Sequence, residues 1–384
     1  MFKIKFNISI YLTIFFLSIV GCENKCESLR NTTIQTNGAT VSLDDSQDTR
    51  KPLTAHNKGS DASPYNTNLP PNGTTGSPNA TQGAGQPLIV LLHGLGSDAS
   101  CFDILKGNLE KAYPTAKIVA LKSVEGDKTF LHSIKDQADL SFEELKTLLT
   151  CPEHGVNSPI LLMGHSQGGL RACAIAARNE GLDIKGIVTI ASPWEGGPSV
   201  MHDPTLKPIL DGFSQALFIF SPDHSIPNLL KALTDSKNQP GVKDLIPGSQ
   251  FLTEISKNLH KPGIPIRAIG GTSSTNMEIP DLGLDLNLNP DTILTNLIVD
   301  SNDPEQRHDM VVPLSSQLAS NISKDNKNFK CVVIQDAPHD ACLVEFCSPG
   351  TKAILEHPQM FEAIKEFIDR ELPEATQKRV DTKK

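Results

Sequence analysis

The chain has 384 residues, of which 38% are hydrophobic and 5% aromatic, and its formal net charge is −9. Its length admits two average domains or one large α/β domain, and its mild acidity without a long Lys/Arg run argues against an electrostatic nucleic-acid binder. Eight cysteines are too sparse for a disulfide scaffold and lack the paired spacing of zinc sites, and the composition excludes a collagen, a coiled coil and a polytopic membrane protein.

The first predicted element is an export signal over residues 1–21, where Lys3 and Lys5 precede an uncharged apolar run. That run is short for a full membrane span, which needs about 20 residues. The junction Ile19-Val20-Gly21-Cys22 resembles a bacterial lipobox, in which the cysteine is lipidated and the chain is cleaved before it. We therefore predict an exported lipoprotein that is anchored to a membrane through Cys22 and faces the periplasm or the cell exterior. An ordinary cleaved signal, giving a secreted protein, and an uncleaved anchor are the alternatives.

The segment that follows the signal is dominated by Ser, Thr, Asn, Gly, Pro and Asp and shows no apolar periodicity. Such a stretch cannot bury enough apolar surface to offset the entropy of ordering it. We therefore predict a disordered tether over 22–85, and by difference one large folded domain over 86–384.

Strand and helix patterns alternate through this domain. Apolar runs predict strands, and amphipathic spacing predicts helices, of which the one over 136–150 places Leu140, Phe142, Leu145, Leu148 and Leu149 largely on one side. The predicted strands are 87–92, 117–121, 160–163, 184–190, 264–269 and 329–334. The predicted helices are 99–113, 136–150, 169–178 and 359–372. This alternation indicates an α/β fold with a mainly parallel sheet and helices on both faces.

Two stretches interrupt the alternation. Residues 198–262 contain apolar helical pieces at 213–220 and 226–233, and they occupy the position of an inserted cap, with core packing as the plainer interpretation. Residues 272–308 are irregular, and within them the alternation of Leu with Asp or Asn over 284–291 is compatible with an edge strand.

The strand at 160–163 leads into Gly164-His165-Ser166-Gln167-Gly168, which fits G-x-S-x-G. In that pattern the serine occupies a sharp strand-to-helix turn, where side chains in place of the glycines would clash with neighbouring backbone. The turn lifts the hydroxyl above the sheet, and the N-terminus of the following helix favours developing negative charge. We predict Ser166 to be a nucleophile, the alternative being a Gly-rich turn without catalytic function.

An acyl-transfer serine also needs N–H donors for the oxyanion of a tetrahedral intermediate. One candidate is the backbone N–H of Gln167, directly after the serine. The second is the N–H of Leu95, in the turn His93-Gly94-Leu95-Gly96 after the first strand. His93 is interpreted as a structural residue.

The acid of such a site follows a later strand, and Asp309 stands before an apolar pair, 143 residues after the serine. Asp300 and Asp303 are its competitors on the same stretch. The acid prediction rests on chain order and motif together.

The base follows the last strand, where His339 stands. His357 is better interpreted as a residue that begins the final helix, and His308 adjoins the predicted acid, which is a poor geometry for a pair. The resulting order is Ser166, Asp309, His339, in which the histidine removes the serine proton and the carboxylate orients the histidine.

From about residue 86 to its C-terminus the chain resembles the α/β-hydrolase superfamily, in its lipase and esterase branch. Four motifs carry the resemblance, and they are similar to those of bacterial secreted lipases, GPI inositol-deacylase-like proteins and palmitoyl-protein thioesterases. These are His93-Gly94-Leu95, Ser166-Gln167-Gly168-Gly169, Ala191-Ser192-Pro193 and the stretch 244–252. The resemblance implies an α/β-hydrolase fold, an oxyanion hole at Leu95 and Gln167, and a cap that acts as a lid. Met310 stands where such families commonly have a glycine after the acid.

The predicted activity is hydrolysis of carboxylic esters, of lipid or acyl type, through an acyl-enzyme. Acyl-protein thioesterase activity and a non-catalytic surface lipoprotein on a hydrolase fold are the alternatives. No metal-ligand set or nucleotide loop is evident, so the sequence implies no cofactor. Cys342 and Cys347 are close enough in sequence to bridge in an oxidising compartment, whereas Cys173 fits buried packing.

Overall fold

The parallel sheet predicted from the sequence forms in the structure, a computed structural model. The structure describes residues 85–150, 157–178, 180–211, 235–259, 263–275, 289–324 and 326–376. These ranges all fall in the compact unit Gly83–Lys384. The predicted signal, Cys22, the tether up to residue 84 and the two apolar pieces at 213–220 and 226–233 lie outside them.

Within the described ranges, six strands form one sheet in the order β2-β1-β3-β4-β5-β6, and every neighbouring pair is parallel. The strands are β1 Leu88–Leu92, β2 Lys117–Ala120, β3 Ile160–His165, β4 Ile184–Ile190, β5 Ile266–Gly271 and β6 Phe329–Ile334. The predicted strands are therefore confirmed. Near-continuous apolar runs such as Leu88–Leu92 form buried strands because both faces of a parallel sheet are covered.

Helices lie between the strands and after the last one. The described α-helices are α1 Asp103–Ala112, α2 Lys128–Leu131, α3 Ile134–Thr150, α4 Gln167–Arg178, α5 Pro240–Lys243, α6 Gln250–Leu259, α7 Pro290–Ile298, α8 Leu314–Gln317 and α9 Pro358–Glu371. The predicted helices at 99–113, 136–150, 169–178 and 359–372 are present, the first beginning with a 3-10 turn at Ala99–Phe102.

Alternate strand residues contribute to two separate hydrophobic clusters, one on each face of the sheet. Val90 and Leu162 point into the cluster that includes α3, α4 and α6. Ile89 and Met163 point into the cluster that includes α1 and α9. The prediction of helices on both faces is confirmed, since side chains of adjacent strand residues point to opposite faces.

The side of α3 that faces the core differs in one residue from the prediction. Phe142, Leu145 and Leu149 are buried, but Leu140 is 41% exposed. At 3.6 residues per turn, Leu140 lies about 200° around the helix from Phe142, so both cannot face the sheet.

The last three residues of 284–291 begin a helix, whereas the alternation of this stretch suggests an edge strand. Asn289 accepts a hydrogen bond from the backbone N–H of Asp291 and caps α7, with Pro290 in the first helical position. An Asn cap followed by proline is a strong helix-start signal, and it outweighs the alternating pattern. Residues 284–288 lie outside the described ranges.

Helix α7 belongs to a third hydrophobic cluster, beside the main sheet. In it, Leu294 and Ile298 pack with residues that follow Asp309 and residues that follow His339. These include Met310, Val311, Val312, Leu343 and Phe346. The cluster therefore fixes the two loops on which the predicted acid and base lie.

The described parts of the 198–262 insertion pack into the body of the domain. Val200 and Leu210 join the third cluster, whereas Val242, Leu245 and Phe251 join the cluster on the α3 and α4 face. For these parts the core-packing interpretation holds. In the described ranges, no helix has both the length and the hydropathy needed to cross a membrane.

The strand order fixes where a ligand binds in such a sheet. From β1 the chain winds outward to β2, then crosses back to place β3 on the other side of β1. Ligands of open parallel sheets bind beyond the carboxyl ends of the strands at such a reversal. The crevice beyond β1 and β3, where Leu95 and Ser166 follow, is therefore the expected site.

Candidate active site

Ser166 occupies a strained turn between β3 and α4. Its backbone has φ 53°, in the left-handed region that non-glycine residues rarely adopt. Its N–H donates to the carbonyl of Ile190 at 2.8 Å, and its own carbonyl accepts from Gly169 N–H at 3.0 Å. The turn is thus fixed from both sides, and the strand–turn–helix geometry that G-x-S-x-G predicts is present.

The two glycines of the motif are required by close backbone contact. A Cβ atom on Gly164 would lie 2.3 Å from the carbonyl carbon of Gly168, and one on Gly168 would lie 2.0 Å from the carbonyl oxygen of Leu92. Neither neighbour is a flexible side chain that can rotate away. The close approach of α4 to β1 and β3 brings the turn of Ser166 against the loop after β1.

We expect Gly168→Ala to destabilise the domain by about 3 kcal/mol or more, because its Cβ overlaps with backbone atoms of β1. Gly107→Ala is the matched control. Gly107 lies inside α1, where an added methyl group would have no neighbouring atom within 4 Å, so this change is expected to stabilise by about 0.5–1 kcal/mol. Urea unfolding of both variants measures the difference. A wild-type midpoint for Gly168→Ala would contradict the tight packing of the turn.

The loop after β1 lies against the serine side chain. A Cβ on Gly94 would be 2.9 Å from Ser166 Cβ and 3.4 Å from Ser166 Oγ. Within the described part of the chain, the N–H of Leu95 donates to no backbone carbonyl. Gln167 is the first residue of α4, so its N–H has no partner within the helix. Both predicted oxyanion donors therefore flank the serine with N–H groups that are available to a ligand.

The predicted acid and base form a buried pair. His339 Nδ1 lies 2.7 Å from Asp309 Oδ2, and the two residues are 6% and 0% exposed. The other carboxylate oxygen, Oδ1, accepts from the N–H groups of Val311 at 3.0 Å and Val312 at 2.7 Å. His339 N–H also donates to the Asp309 carbonyl at 2.8 Å. Because Nδ1 donates to the carboxylate, Nε2 of His339 is left as the proton acceptor.

The pKa of His339 reflects opposing effects. Burial by itself lowers the pKa, but the charge and hydrogen bond of Asp309, with a smaller effect of Asp340, raise it above its ordinary value. The imidazolium is therefore stabilised where it forms. A general base with this pKa is neutral, and so active, only as the pH rises above the ordinary histidine range.

His165, a variable position of the motif for which the sequence predicted no role, connects the serine turn to the predicted base, His339. Its Nε2 lies 3.0 Å from the carbonyl oxygen of His339, and the two rings are 4.8 Å apart. Burial, together with the charge of His339, lowers the pKa of His165 to about 4. A neutral ring facing a carbonyl carries its proton on Nε2, so His165 donates to the backbone of His339.

The competing acids and bases have other roles. Asp300 and Asp303 accept hydrogen bonds from Asn302 and Glu305 N–H groups, each two residues further on, as turn residues do. His308 is buried against Thr295 and Met310, and burial lowers its pKa. His357 accepts from Gln359 N–H at 3.3 Å as the cap of α9, as the sequence predicted.

Met310, which replaces the glycine common in similar families, keeps a glycine-like backbone. Its φ is 77°, and its side chain is 2% exposed in the third hydrophobic cluster. The left-handed conformation costs about 1–3 kcal/mol for a non-glycine residue. Burial of the methionine side chain offsets that cost, which explains how this position tolerates a residue other than glycine.

No cysteine of the described ranges forms a disulfide, so Cys342 and Cys347 are not bridged. Cys347 Sγ instead lies 3.2 Å from Ser273 Oγ and 3.6 Å from Met310 Sδ. Cys173 is buried, as predicted. Across the described residues, no three His, Cys, Asp or Glu side chains converge to hold a metal ion.

Comparison with known proteins gives one family match. A family model described as palmitoyl protein thioesterase matches residues 88–223, the part of the chain that runs from β1 into the insertion. No curated protein sequence matches the chain significantly.

Among solved structures, the chain is similar to a carboxylesterase from the thaumarchaeon Nitrososphaera gargenis, with 14% identity and a TM-score of 0.40 over 74% of this chain and 91% of that one. It is similar to an extracellular α/β-hydrolase from a Paenibacillus species, with 12% identity and a TM-score of 0.39 over 73% and 98%. It is also similar to the phospholipase PlaB from Legionella pneumophila, with 11% identity and a TM-score of 0.43 over 70% and 55%.

The family match covers the part of the parallel sheet where the strained serine turn lies, at the carboxyl ends of β1 and β3. The matched residues 88–223 include β1 with its following loop and β3 with Ser166, which lie at the reversal of the strand order. Fold, turn and match point to one kind of chemistry, cleavage of ester-type bonds. The chain has an α/β fold with a parallel sheet, its residues 88–223 match the palmitoyl protein thioesterase family model, and it is an enzyme of the esterase and lipase type.

Proposed function

We propose that the protein is a serine hydrolase whose catalytic triad is Ser166, His339 and Asp309. The observation that carries this proposal is the linkage of the three positions by two hydrogen bonds. Asp309 holds the ring of His339 at 2.7 Å, and His165, the residue next to the serine, donates to the backbone of His339 at 3.0 Å. These bonds support the proposal, because they hold His339 and Asp309 close to the turn of Ser166.

In the acylation step, Ser166 Oγ attacks the carbonyl carbon while His339 Nε2 takes the hydroxyl proton. Asp309 stabilises the resulting imidazolium. The N–H groups of Leu95 and Gln167 donate to the oxyanion, an interaction that is stronger in the tetrahedral state than with the planar ester. As the intermediate collapses, the bond to the leaving group breaks and His339 donates its proton to the departing oxygen or sulfur.

Deacylation repeats the sequence with water as the nucleophile. His339 removes a proton from water, the hydroxide attacks the acyl-enzyme carbonyl, and the same two N–H groups hold the second oxyanion. The carboxylic acid leaves when the bond to Ser166 breaks and the serine recovers its proton from His339. No cofactor takes part in either step.

The proposed substrates are lipid or acyl esters. Apolar side chains lie at the loop that carries the proposed donor Leu95: Leu95 itself is half-buried, and a Cβ on Gly96 would be 3.2 Å from the ring of Phe130 in α2. Leu131, at the end of the same short helix, is 55% exposed. An apolar rim of this kind favours an acyl chain over a peptide.

A series of p-nitrophenyl esters from acetyl to palmitoyl tests this substrate class. We expect kcat/KM to rise by at least about tenfold from the acetyl to the longer esters, because each added methylene contributes about 0.8 kcal/mol when buried. A preference for acetyl would contradict the lipid-ester proposal while leaving the triad untouched.

Acyl thioesters are the second candidate, favoured by the match of residues 88–223 to the palmitoyl protein thioesterase family model. The discriminating measurement compares an oxygen ester and a thioester that carry the same acyl chain. A kcat/KM ratio of at least about tenfold toward the thioester, beyond the ratio of the two uncatalysed hydrolysis rates, would favour the thioesterase activity. A ratio in the opposite direction would favour the esterase.

We further propose that the enzyme is exported and tethered by a lipid on Cys22, a residue outside the described ranges. The support is the lipobox-like junction after a signal-type segment. Mass spectrometry of the N-terminal peptide of the mature protein is expected to detect a lipid-modified Cys22. An unmodified Cys22 would remove the anchor from the proposal and leave a secreted enzyme.

A further inference from the structure

A buried polar network holds both ends of the loop that carries Leu95. At one end, the Thr129 hydroxyl accepts a hydrogen bond from Gly96 N–H at 2.7 Å. At the other end, Arg171 Nη2 donates to the carbonyl oxygen of His93 at 3.0 Å. Thr129 and Arg171 are 0% and 1% exposed. Burial lowers the pKa of Arg171 to about 10, so the guanidinium remains charged at neutral pH.

The two ends of the network are joined through Gln137, which is also fully buried. Its side-chain nitrogen donates to the carbonyl oxygen of Thr129 at 2.8 Å, and its side-chain oxygen accepts from Arg171 Nη1 at 3.4 Å. The Thr129 hydroxyl donates its own proton to the carbonyl of Gly126 at 2.6 Å. That bond fixes the hydroxyl so that its lone pairs face Gly96 N–H.

Thr129 also contacts the other half of the proposed oxyanion hole. Its carbonyl oxygen lies 3.3 Å from the donating side-chain nitrogen of Gln167, which also donates to the carbonyl of Gly241 in α5 at 3.0 Å. Gly241 packs closely against Thr129, since a Cβ on Gly241 would lie 2.0 Å from the Thr129 carbonyl oxygen. Thr129 therefore bonds to the neighbour of one proposed donor, Leu95, and to the side chain of the other.

From this juxtaposition we propose that Thr129 is a positioning residue, which fixes the separation and direction of the Leu95 and Gln167 N–H groups toward the oxyanion. The inference rests on the proposed function. Oxyanion donors act at about 3 Å from the developing charge, and a misplacement of about 1 Å costs about 10²-fold in rate. Without the hydroxyl, the N–H of Gly96 loses the acceptor that holds this end of the loop, so the loop can shift.

Thr129→Val tests the proposal, because valine keeps the shape and removes the hydroxyl. We expect kcat on a soluble p-nitrophenyl ester to fall by about 10- to 100-fold while KM changes by less than about threefold. The affinity for a trifluoromethyl ketone, which forms a tetrahedral oxyanion on the serine, should fall in parallel. Thr129→Ser, which restores the hydroxyl, should recover kcat to within about threefold. If Thr129 had only a structural role, a selective fall in kcat with a nearly unchanged KM would not be expected.

Thr115→Val is the matched control, since its hydroxyl also donates to a carbonyl at 2.6 Å, that of Ala375, at the opposite end of the sheet. If folded Thr129→Val kept the wild-type kcat and the wild-type ketone affinity, the inference would be overturned. It would also be overturned if Thr129→Ser or Thr115→Val lost as much kcat as Thr129→Val. If Thr129→Val does not fold, Gln167→Met removes the amide that donates to Thr129, and an unchanged kcat there overturns the inference.

Fluorophosphonate labelling of the wild type separates this result from a failure of the proposed function. A labelled wild type with an unaffected Thr129→Val rejects only the role of Thr129. A folded wild type that neither labels nor hydrolyses any ester rejects the serine mechanism itself, and the inference with it.

Discussion

Ser166→Ala is expected to lower kcat for ester hydrolysis by at least about 10⁴-fold, with the protein still folded. Loss of the hydroxyl removes the proposed nucleophile, so the proposed acyl-enzyme cannot form. Alanine is tolerated at the φ of 53° about as well as serine, and the backbone bonds of the turn do not involve the side chain. Any residual activity is expected to come from the proposed oxyanion hole and from substrate binding.

Ser192→Ala is the control for this experiment. Ser192 is buried beyond the end of β4, the strand next to β3, and its hydroxyl interacts only weakly, at 3.4 Å from the Ile190 carbonyl. We expect its kcat to remain within about threefold of wild type. If Ser166→Ala retained more than about one-tenth of the wild-type kcat, the nucleophile would have to be another group.

Asp309→Asn is expected to reduce kcat by about 10⁴-fold. The carbonyl oxygen of the asparagine would replace Oδ1 and still accept from Val311 and Val312 N–H groups. Its amide nitrogen would then face His339 Nδ1 as a donor. The ring would carry its proton on Nε2, so it could not accept the proton of Ser166.

The pH profile gives an independent check of the same pair. In the wild type, Asp309 raises the pKa of His339 against the opposing effect of burial, so kcat/KM should rise with pH above the ordinary histidine range. Without that carboxylate, burial dominates, the pKa of His339 falls, and the acidic limb of the residual activity should move to lower pH. Asp303→Asn is the control, with the wild-type limb expected. An unmoved limb in Asp309→Asn would contradict the assigned acid.

The sheet could be predicted from the sequence because its strands are apolar runs with clear ends. β4 and β6 have the predicted bounds, 184–190 and 329–334, to the residue. The turn at Ser166 was also predictable, since the glycine spacing of the motif is a local signal that requires no knowledge of the rest of the fold.

Helix α7 was missed although its start signal was present. The alternation of Leu with Asp and Asn before residue 289 suggests a strand, whereas Asn289 followed by Pro290 marks the beginning of a helix. The long stretch before Asp309 therefore contains the helix that packs against the loop of that acid.

The contacts that support the site could not be predicted, because they join residues distant in sequence. His165 and His339 are 174 positions apart, and Gly96 and Thr129 are 33 apart. Neither pair follows a helix or strand period. Thr129 carries no sequence signal beyond being a threonine near a short helix, and its burial and its hydrogen bonds become visible only in the fold.

The central claim, that Ser166 is the nucleophile of an ester hydrolase, is tested most directly by labelling the folded wild-type protein with a fluorophosphonate and mapping the adduct by peptide mass spectrometry. We predict one adduct per chain, on the peptide that contains Ser166, and none in Ser166→Ala. An adduct on a different serine, or a folded wild type that remains unlabelled, would contradict the account.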